Sequence, residues 1–403
     1  MDIVIIAQYL RDIENFENNN SRFVYIAKML RDDQHNVEII TSDFHHSSKV
    51  HFNFIGDLYG ITVTALHELG YSQNVCLKRL ISHKELARNL KKYLRQRTKP
   101  DLIYVAVPSL DVAEVCANYC DANNVKFIVD IQDLWPEAFR MLFNVPILSN
   151  LVFRPMENKA NRIYAAADEI VAVSKTYADR GMRVNKKCMT PTVVFLGTEK
   201  TIFDQYSKRH VNYCDELKAT YTIVYIGTLG HSYDLECIID AIAKLKIKQT
   251  VEFLVMGEGP MKQKFENAAK KKGIAYTFTG LLSYPQMVEK LTECDIAVNP
   301  IRKGAAGSII NKIGDYAMAG LPVVNTQECE EYRDLLDKYK SGINCECENS
   351  NDVAKAIQYL ISNPSLRTEM GRNSRKLGEE KIDRKNSYKN IVRVITSNED
   401  NKW

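Results

Sequence analysis

Residues 307–324 read Gly307-Ser308-Ile309-Ile310-Asn311-Lys312-Ile313-Gly314-Asp315-Tyr316-Ala317-Met318-Ala319-Gly320-Leu321-Pro322-Val323-Val324. The run passes from a flexible loop into a helix, stops, and enters a buried strand. Gly307 and Ser308, followed by Ile309 and Asn311, are expected to leave backbone N–H groups open at the helix start. The first N–H groups of a helix lack partners and its dipole is positive there, so an anion is favoured. Lys312 and Asp315 stand three apart and share a helical face. A cation beside a phosphate-binding end, with a carboxylate one turn later, suits a nucleotide's diphosphate and its ribose hydroxyls. Gly320 fits the C-terminal cap, and Pro322 prevents continuation.

Working outward, the same strand-and-helix unit repeats. Apolar runs predict strands at Ile3–Ala7, Val37–Thr41, Leu102–Val107, Lys126–Ile131 and Ile170–Ser174. A second series falls at Thr222–Ile226, Val251–Met256, Tyr276–Thr279, Ile296–Asn299 and Val323–Asn325. Amphipathic helices lie between them, among them Arg22–Arg31, Asp111–Asp121, Glu236–Leu245 and Pro285–Glu293. Such alternation argues for α/β architecture with parallel sheets covered on both faces. The pattern starts afresh after a polar stretch, Asp204–Thr220. We therefore expect two Rossmann-like, doubly wound domains, 1–198 and 199–380, with a C-terminal helix in 381–403 packing back on the first. Strand C-terminal ends would line a cleft between them, where such folds bind ligands.

Composition narrows the class. A chain of 403 residues exceeds what one core usually supports. Its net charge of +4 is too small to imply nucleic acid, and 45% hydrophobic with 26% charged residues is ordinary globular material. No apolar run approaches the ~20 residues of a membrane span. No signal peptide precedes the first strand, so a reducing cytoplasm is expected for the ten cysteines. No Cys or His set stands at zinc spacing, and idle or buried thiols are the expected reading.

Several further stretches invite chemistry, each with a plainer alternative. Gly257-Glu258-Gly259-Pro260 is a Gly-X-Gly turn after a strand, where backbone could approach a ligand; many strand–helix turns need glycine anyway. A full Gly-X-Gly-X-X-Gly and a P-loop are both absent, which counts against dinucleotide oxidoreductases and P-loop enzymes. Gly227-Thr228-Leu229-Gly230-His231 is a Gly-rich loop in which His231 either touches a phosphate or is simply solvated. Asp133 and Glu137 follow a strand end, with Trp135 between them; they either face a substrate or form a turn in which Asp133 caps and Trp135 packs. His45, His46 and His51 lack fixed metal spacing and read as a surface or acceptor-side loop. Leu77–Lys99 reads as a basic helix with Leu86, Leu90 and Leu94 on one face. Its cations include Arg79, Arg88, Lys91, Lys92 and Arg95, opposed only by Glu85. Either this is a solvated face or it meets anionic lipid, at ~1 kcal/mol per basic residue. No Asp-X-Asp pair occurs in the chain, so a diphosphate would be held by helix dipole and basic side chains rather than by a divalent ion on such a motif.

Taken in order, these residues resemble the retaining glycosyltransferases of family 4, and within them the WbuB-like amino-sugar transferases of bacterial surface polysaccharides. The markers are Ser21-Arg22-Phe23, His35-Asn36-Val37, Thr41-Ser42-Asp43-Phe44, Asp133 to Glu137, Ala167-Asp168 through Val173-Ser174, Gly257 to Pro260, and Asn311-Lys312 with Asp315 to Val323. The resemblance implies a GT-B arrangement. The family often carries Glu-X7-Glu; here Asp315 stands for the second acid and Gly307 occupies the place of the first. Basic residues common after the second domain's first strand are replaced by Thr228, His231 and Tyr233. That leaves phosphate neutralisation to Lys312, with Arg302 or Lys303 as helpers.

The resemblance therefore implies transfer, with retention and without a metal or other cofactor, from a nucleotide-diphospho-sugar to a lipid-linked or glycan acceptor. Asp133, Lys312 and Asp315 would be the catalytic group. Gly227, Thr228, His231, Gly257, Gly259, Gly280, Leu281, Gly307, Ser308, Ile309 and Asn311 would contact the donor. The enzyme would be cytoplasmic, peripheral on an anionic membrane. The missing acid and basic residues leave a non-catalytic nucleotide-sugar-binding subunit, or an epimerase of the same fold, as the other readings.

Overall fold

The structure, a computed structural model, describes the chain except residues 11–15, 17, 18, 20, 47, 74, 75, 143–145, 209–216, 306, 307 and 398–403. The chain forms two units, Met1–Val194 with the segment from Tyr388, and Phe195–Ser387. The sequence reading set the corresponding limits at 198 and 380.

The first unit holds eight strands. They are β1 (Asp2–Ile6), β2 (Asn36–Ser42), β3 (Ile55–Leu58), β4 (Ile61–Leu66), β5 (Leu102–Val107), β6 (Lys126–Ile131), β7 (Glu169–Ala172) and β8 (Thr192–Val193). They lie in the order β3-β4-β2-β1-β5-β6-β7-β8, all parallel except the β3–β4 hairpin. The second unit holds β9 (Thr220–Ile226), β10 (Thr250–Met256), β11 (Ala275–Gly280), β12 (Ile296–Asn299), β13 (Val323–Asn325) and β14 (Gly342–Asn344). Their order is β11-β10-β9-β12-β13-β14. Counted within the unit this is 3-2-1-4-5-6, the Rossmann order, whose switch point lies between β9 and β12.

Central strands read as unbroken apolar runs because both faces are covered. Leu102–Val107 is buried at every residue, and so is Ile296–Asn299. The cores on the two faces of the first sheet gather around Val105, Phe127 and Ile163 on one side and Ile5, Val24 and Tyr104 on the other. One ion pair is built into this core. Arg22 donates from Nε to Asp130 Oδ2 at 2.7 Å and from Nη2 to Oδ1 at 3.2 Å, and the Tyr104 hydroxyl donates to the same carboxylate at 2.7 Å. Asp130, at the end of β6, is therefore spent on structure.

The strands expected from the sequence are present with limits shifted by a residue or two. Ser174, expected in β7, instead caps the following helix by accepting from Tyr177 N. The β3–β4 hairpin escapes the sequence reading because its turn is Tyr59-Gly60, not Asn-Gly. Both turn residues take positive φ, 56° and 78°, as a two-residue hairpin turn requires.

Candidate functional site

The C-terminal ends of β9, β10 and β11 converge through their glycines. Gly227 N donates to Met256 O, and Leu229 N donates to Glu258 O at 2.8 Å. Gly257 pairs with Gly280 in an isolated bridge. A Cβ on Gly257 would lie 1.9 Å from Gly227 O, and one on Gly259 would lie 2.3 Å from Leu229 O. The glycines are thus needed for backbone to meet backbone. This favours the plainer reading of the Gly257-Glu258-Gly259 turn, because the Gly227–Leu229 segment fills the space where side chains on its glycines would stand. Gly280, at φ 75°, would place a Cβ 2.9 Å from Glu258 Oε1.

Gly227 carries a different consequence. With φ at 124°, it faces Lys312, whose Nζ would stand 3.1 Å from a Cβ there. Lys312 opens the helix Lys312–Met318 in the β12–β13 crossover, beside the switch point. Its side chain is buried, 8% exposed, and Nζ has no hydrogen-bond partner among the described residues. Two aromatic rings flank the amine: the centroids of Tyr225 and Tyr233 lie 3.7 and 4.1 Å away. The Tyr225 hydroxyl is turned aside, donating to Thr228 O at 2.7 Å. Burial without a counter-ion drives the Lys312 pKa far below its ordinary value. An anion arriving beside the amine would oppose that shift, because a nearby opposite charge favours the protonated form.

Asp315, one turn on, is half-buried. Its Oδ1 accepts from Thr198 Oγ1 at 3.2 Å and from the Tyr284 hydroxyl at 3.1 Å. Burial outweighs these bonds and lifts its pKa to about 6. Gly314 makes this possible, because a Cβ there would come within 2.6 Å of Thr198 Oγ1. Thr198, Tyr225 and Tyr284 were not singled out from sequence. Tyr225 lies at the end of β9, two residues before Gly227, and that nearness was the available signal.

The expected open helix start is partly filled. Ile313 N donates to Ile310 O at 3.4 Å and Gly314 N to Asn311 O at 3.0 Å. Ser308 O accepts from Gln327 Nε2 at 2.7 Å, Ile309 is buried and Asn311 is exposed. Gly307 lies outside the described residues. Gly320, at φ 64°, ends the helix as expected, with Leu321 N donating to Tyr316 O. Thr228, His231 and Leu281 are exposed, Leu281 to 79%. Arg302 does not assist Lys312: it faces Asp234 at 3.4 Å and Glu236 at 3.5 Å.

In the first unit, Asp133 Oδ1 accepts from its neighbour Leu134 N at 2.9 Å, and Tyr177 OH lies 3.5 Å away. Burial raises its pKa. Trp135 is buried and stacks on His83 at 5.8 Å, while Glu137 pairs with Arg180 at 2.5 Å. Trp135 packs as in the plainer turn reading, while the Asp133 carboxylate bonds within the turn at Leu134 N rather than to the first turn of the helix Glu137–Leu142.

The basic helix runs Leu77–Gln96. Arg79 must be removed from its outer face: the guanidinium lies 4.9 Å over Trp135 and donates to the Tyr9 hydroxyl at 3.1 Å. Arg88, Lys91, Lys92 and Arg95 are exposed, beside exposed Leu77 and Ile81. Arg97, just beyond, is held by Asp2 and Glu38. Among the described residues no helix is long and apolar enough to cross a membrane.

With this geometry in place, comparison with known proteins is informative. Residues 215–377 match the family model described as glycosyl transferases group 1. The match takes in β9 to β14, both tyrosines of the box, Lys312 and Asp315. Among curated proteins no sequence matches closely enough to count as a relative. Solved structures are similar over nearly the whole chain. Sucrose-phosphate synthase of Thermosynechococcus elongatus has a TM-score of 0.73 at 13% identity, covering 98% of each chain. HepE of Anabaena, in complex with UDP, has a TM-score of 0.68 at 14% identity, covering 99% of this chain and all of that one. WaaG, a glycosyltransferase involved in lipopolysaccharide biosynthesis, has a TM-score of 0.64 at 14% identity, covering 98% of this chain and all of that one. At such identity the likeness is one of fold, and the fold is GT-B.

Proposed function

We propose that this chain is a glycosyltransferase that takes a sugar from a UDP-linked donor held by its second unit. The observation that carries this reading is Lys312, a buried amine without a counter-ion among the described residues, at the switch point of a Rossmann sheet. An unpaired buried cation is costly, and such groups cluster where a ligand supplies the missing charge. The match to glycosyl transferases group 1 over the same residues supports a nucleotide sugar, and the HepE complexes with UDP and UDP-glucose support the base.

In this reading the charge of the donor diphosphate raises the Lys312 pKa, the amine holds a proton taken from solvent and pairs with the diphosphate, and it then stabilises charge on the leaving nucleotide. The free carboxylate oxygen of Asp315 accepts from the ribose hydroxyls. Diphosphate charge is met by the protein, so transfer needs no divalent ion and survives EDTA. Retention and an N-acetylated sugar follow from the resemblance to WbuB-like transferases. So does a lipid-linked or glycan acceptor in capsule, O-antigen or exopolysaccharide synthesis, entering from the first unit past Asp133. The outer face of Leu77–Gln96 would rest on an anionic membrane, with Leu77 and Ile81 as apolar contacts. A cavity lined by Lys91, Arg95, Arg97, Lys99, Asn118 and Tyr119 adjoins that face and suits a lipid phosphate.

A thermal-shift screen of nucleotides and nucleotide sugars tests the reading. UDP and one or more UDP-sugars should raise the melting temperature in a concentration-dependent way, since a ligand bound only by the folded state stabilises it. If no nucleoside diphosphate or nucleotide sugar shifts it, the donor-site reading fails.

A further inference from the structure

The loop after β2 turns back on itself. Phe52 N donates to Asp43 O at 2.8 Å, His45 N to Val50 O at 2.9 Å, and Phe44 bridges to His51. Asp43 N donates to Leu66 O at 2.8 Å, which fixes the end of β4 beside it. Backbone bonds thus bring three side chains from separate stretches face to face. Asp43 Oδ1 lies 3.1 Å from His51 Nδ1, and Oδ2 lies 2.7 Å from His67 Nδ1. The two imidazoles stack at 5.4 Å. All three donor atoms fall within 4.8 Å of one another. Sequence spacing had set His51 aside as a loop histidine, because its companions, Asp43 and His67, lie on other segments.

A second observation points the same way. Glu68 N donates to Asp43 Oδ1 at 3.1 Å, which aims the carboxylate at the histidines. The Glu68 side chain is wholly buried beside it; Oε2 accepts from Gln8 Nε2 at 2.8 Å, but Oε1 has no hydrogen-bond partner among the described residues. Acceptor capacity is thus left unspent on Glu68, next in sequence to His67, behind the cluster of Asp43, His51 and His67.

We propose that Asp43, His51 and His67 bind a first-row transition dication of the zinc class. Two imidazole nitrogens and one carboxylate oxygen suit zinc, cobalt or nickel better than magnesium or calcium, which prefer oxygen alone. Bonds of about 2.0–2.2 Å require donor atoms a little over 3 Å apart. Each nitrogen already stands that close to Asp43. The histidines need only draw together, and their side chains, 41% and 59% exposed, are free to turn. The competing arrangement is a pair of imidazoles each hydrogen-bonded through Nδ1 to Asp43, and a dication would take the place of those bonds. Three protein ligands leave one position open to water or a ligand. The ion would tie the β2 loop to the ends of β3 and β4, in the first unit alone, so the site stands independently of the donor reading.

The test uses the full-length, tag-free chain stripped with chelator. Zinc is titrated by calorimetry and cobalt by visible absorption, for the wild type, His67→Gln and the double variant His51→Gln/His67→Gln, with circular dichroism as the fold check. We expect one ion per wild-type chain, a cobalt spectrum without thiolate charge transfer, and affinity at least about tenfold weaker in His67→Gln. Absence of saturable binding to the wild type overturns the proposal. So does binding that His67→Gln leaves unchanged, or a thiolate spectrum, which would assign the metal to cysteines.

Discussion

Lys312 is held at a cost to folding. Its amine has lost water and, among the described residues, gained two ring faces, which recover part of the difference. Lys312→Met keeps the stem and removes the amine, so it should stabilise the free protein by about 1 kcal/mol in denaturant unfolding. A marked loss of stability would mean that the amine is structurally paired. Asp315 offers a complementary readout. Its folded pKa of about 6 exceeds the ordinary 3.8, so between these values the folded state holds the extra proton. The stabilisation is complete below the lower value and is lost as pH rises through about 6. Asp315→Asn does not titrate, so relative to the wild type it should gain stability by about 2 kcal/mol from pH 4 to 7, partial exposure trimming the full value. A pH-independent difference would show that the carboxyl is not perturbed.

At the scale of elements, the glycine-rich strand ends behave as one unit. Gly257→Ala would put a methyl group into the Gly227 carbonyl and oppose a φ of 152°. We expect it to destabilise the protein by more than about 3 kcal/mol, measured by chemical denaturation. A nearly neutral result would show that the two loops can separate. Much of this level is legible in sequence. Continuous apolar runs mark buried parallel strands, and Gly320 with Pro322 marks a helix end, because these signals are local. The site is less legible, because its contacts join segments far apart in the chain. Lys312 and Asp315 were visible at helical spacing, but the tyrosines around Lys312 come from β9 and the loop after it. Thr198 reaches Asp315 across 117 positions. The glycines were visible, yet whether one spares space for a ligand or for another backbone depends on what packs against it. Gly227 faces the amine, whereas Gly257 faces a carbonyl.

At the scale of the molecule, the chain leaves the first unit at Val194 and returns to it at Tyr388. The returning helix, Lys389–Thr396, buries Ile391, Val392 and Ile395 with Tyr388 in the core that contains Val24 and Tyr104. Lys126 Nζ donates to Val394 O at 3.0 Å and to Ser397 O at 2.7 Å. Each large apolar side chain buried there contributes about 1.5–3 kcal/mol. Truncation after Ser387 should therefore lower the melting temperature of the first unit by several degrees at least; an unchanged transition would show that the helix is dispensable. The central claim, that Lys312 supplies the charge for a nucleotide-sugar donor, is tested most directly by turnover. Transfer from UDP-sugar to acceptor, at donor well below saturation, should fall by about 10²–10³ in Lys312→Met while its fold is kept and its melting temperature is not lowered. Turnover equal to the wild type would contradict the account.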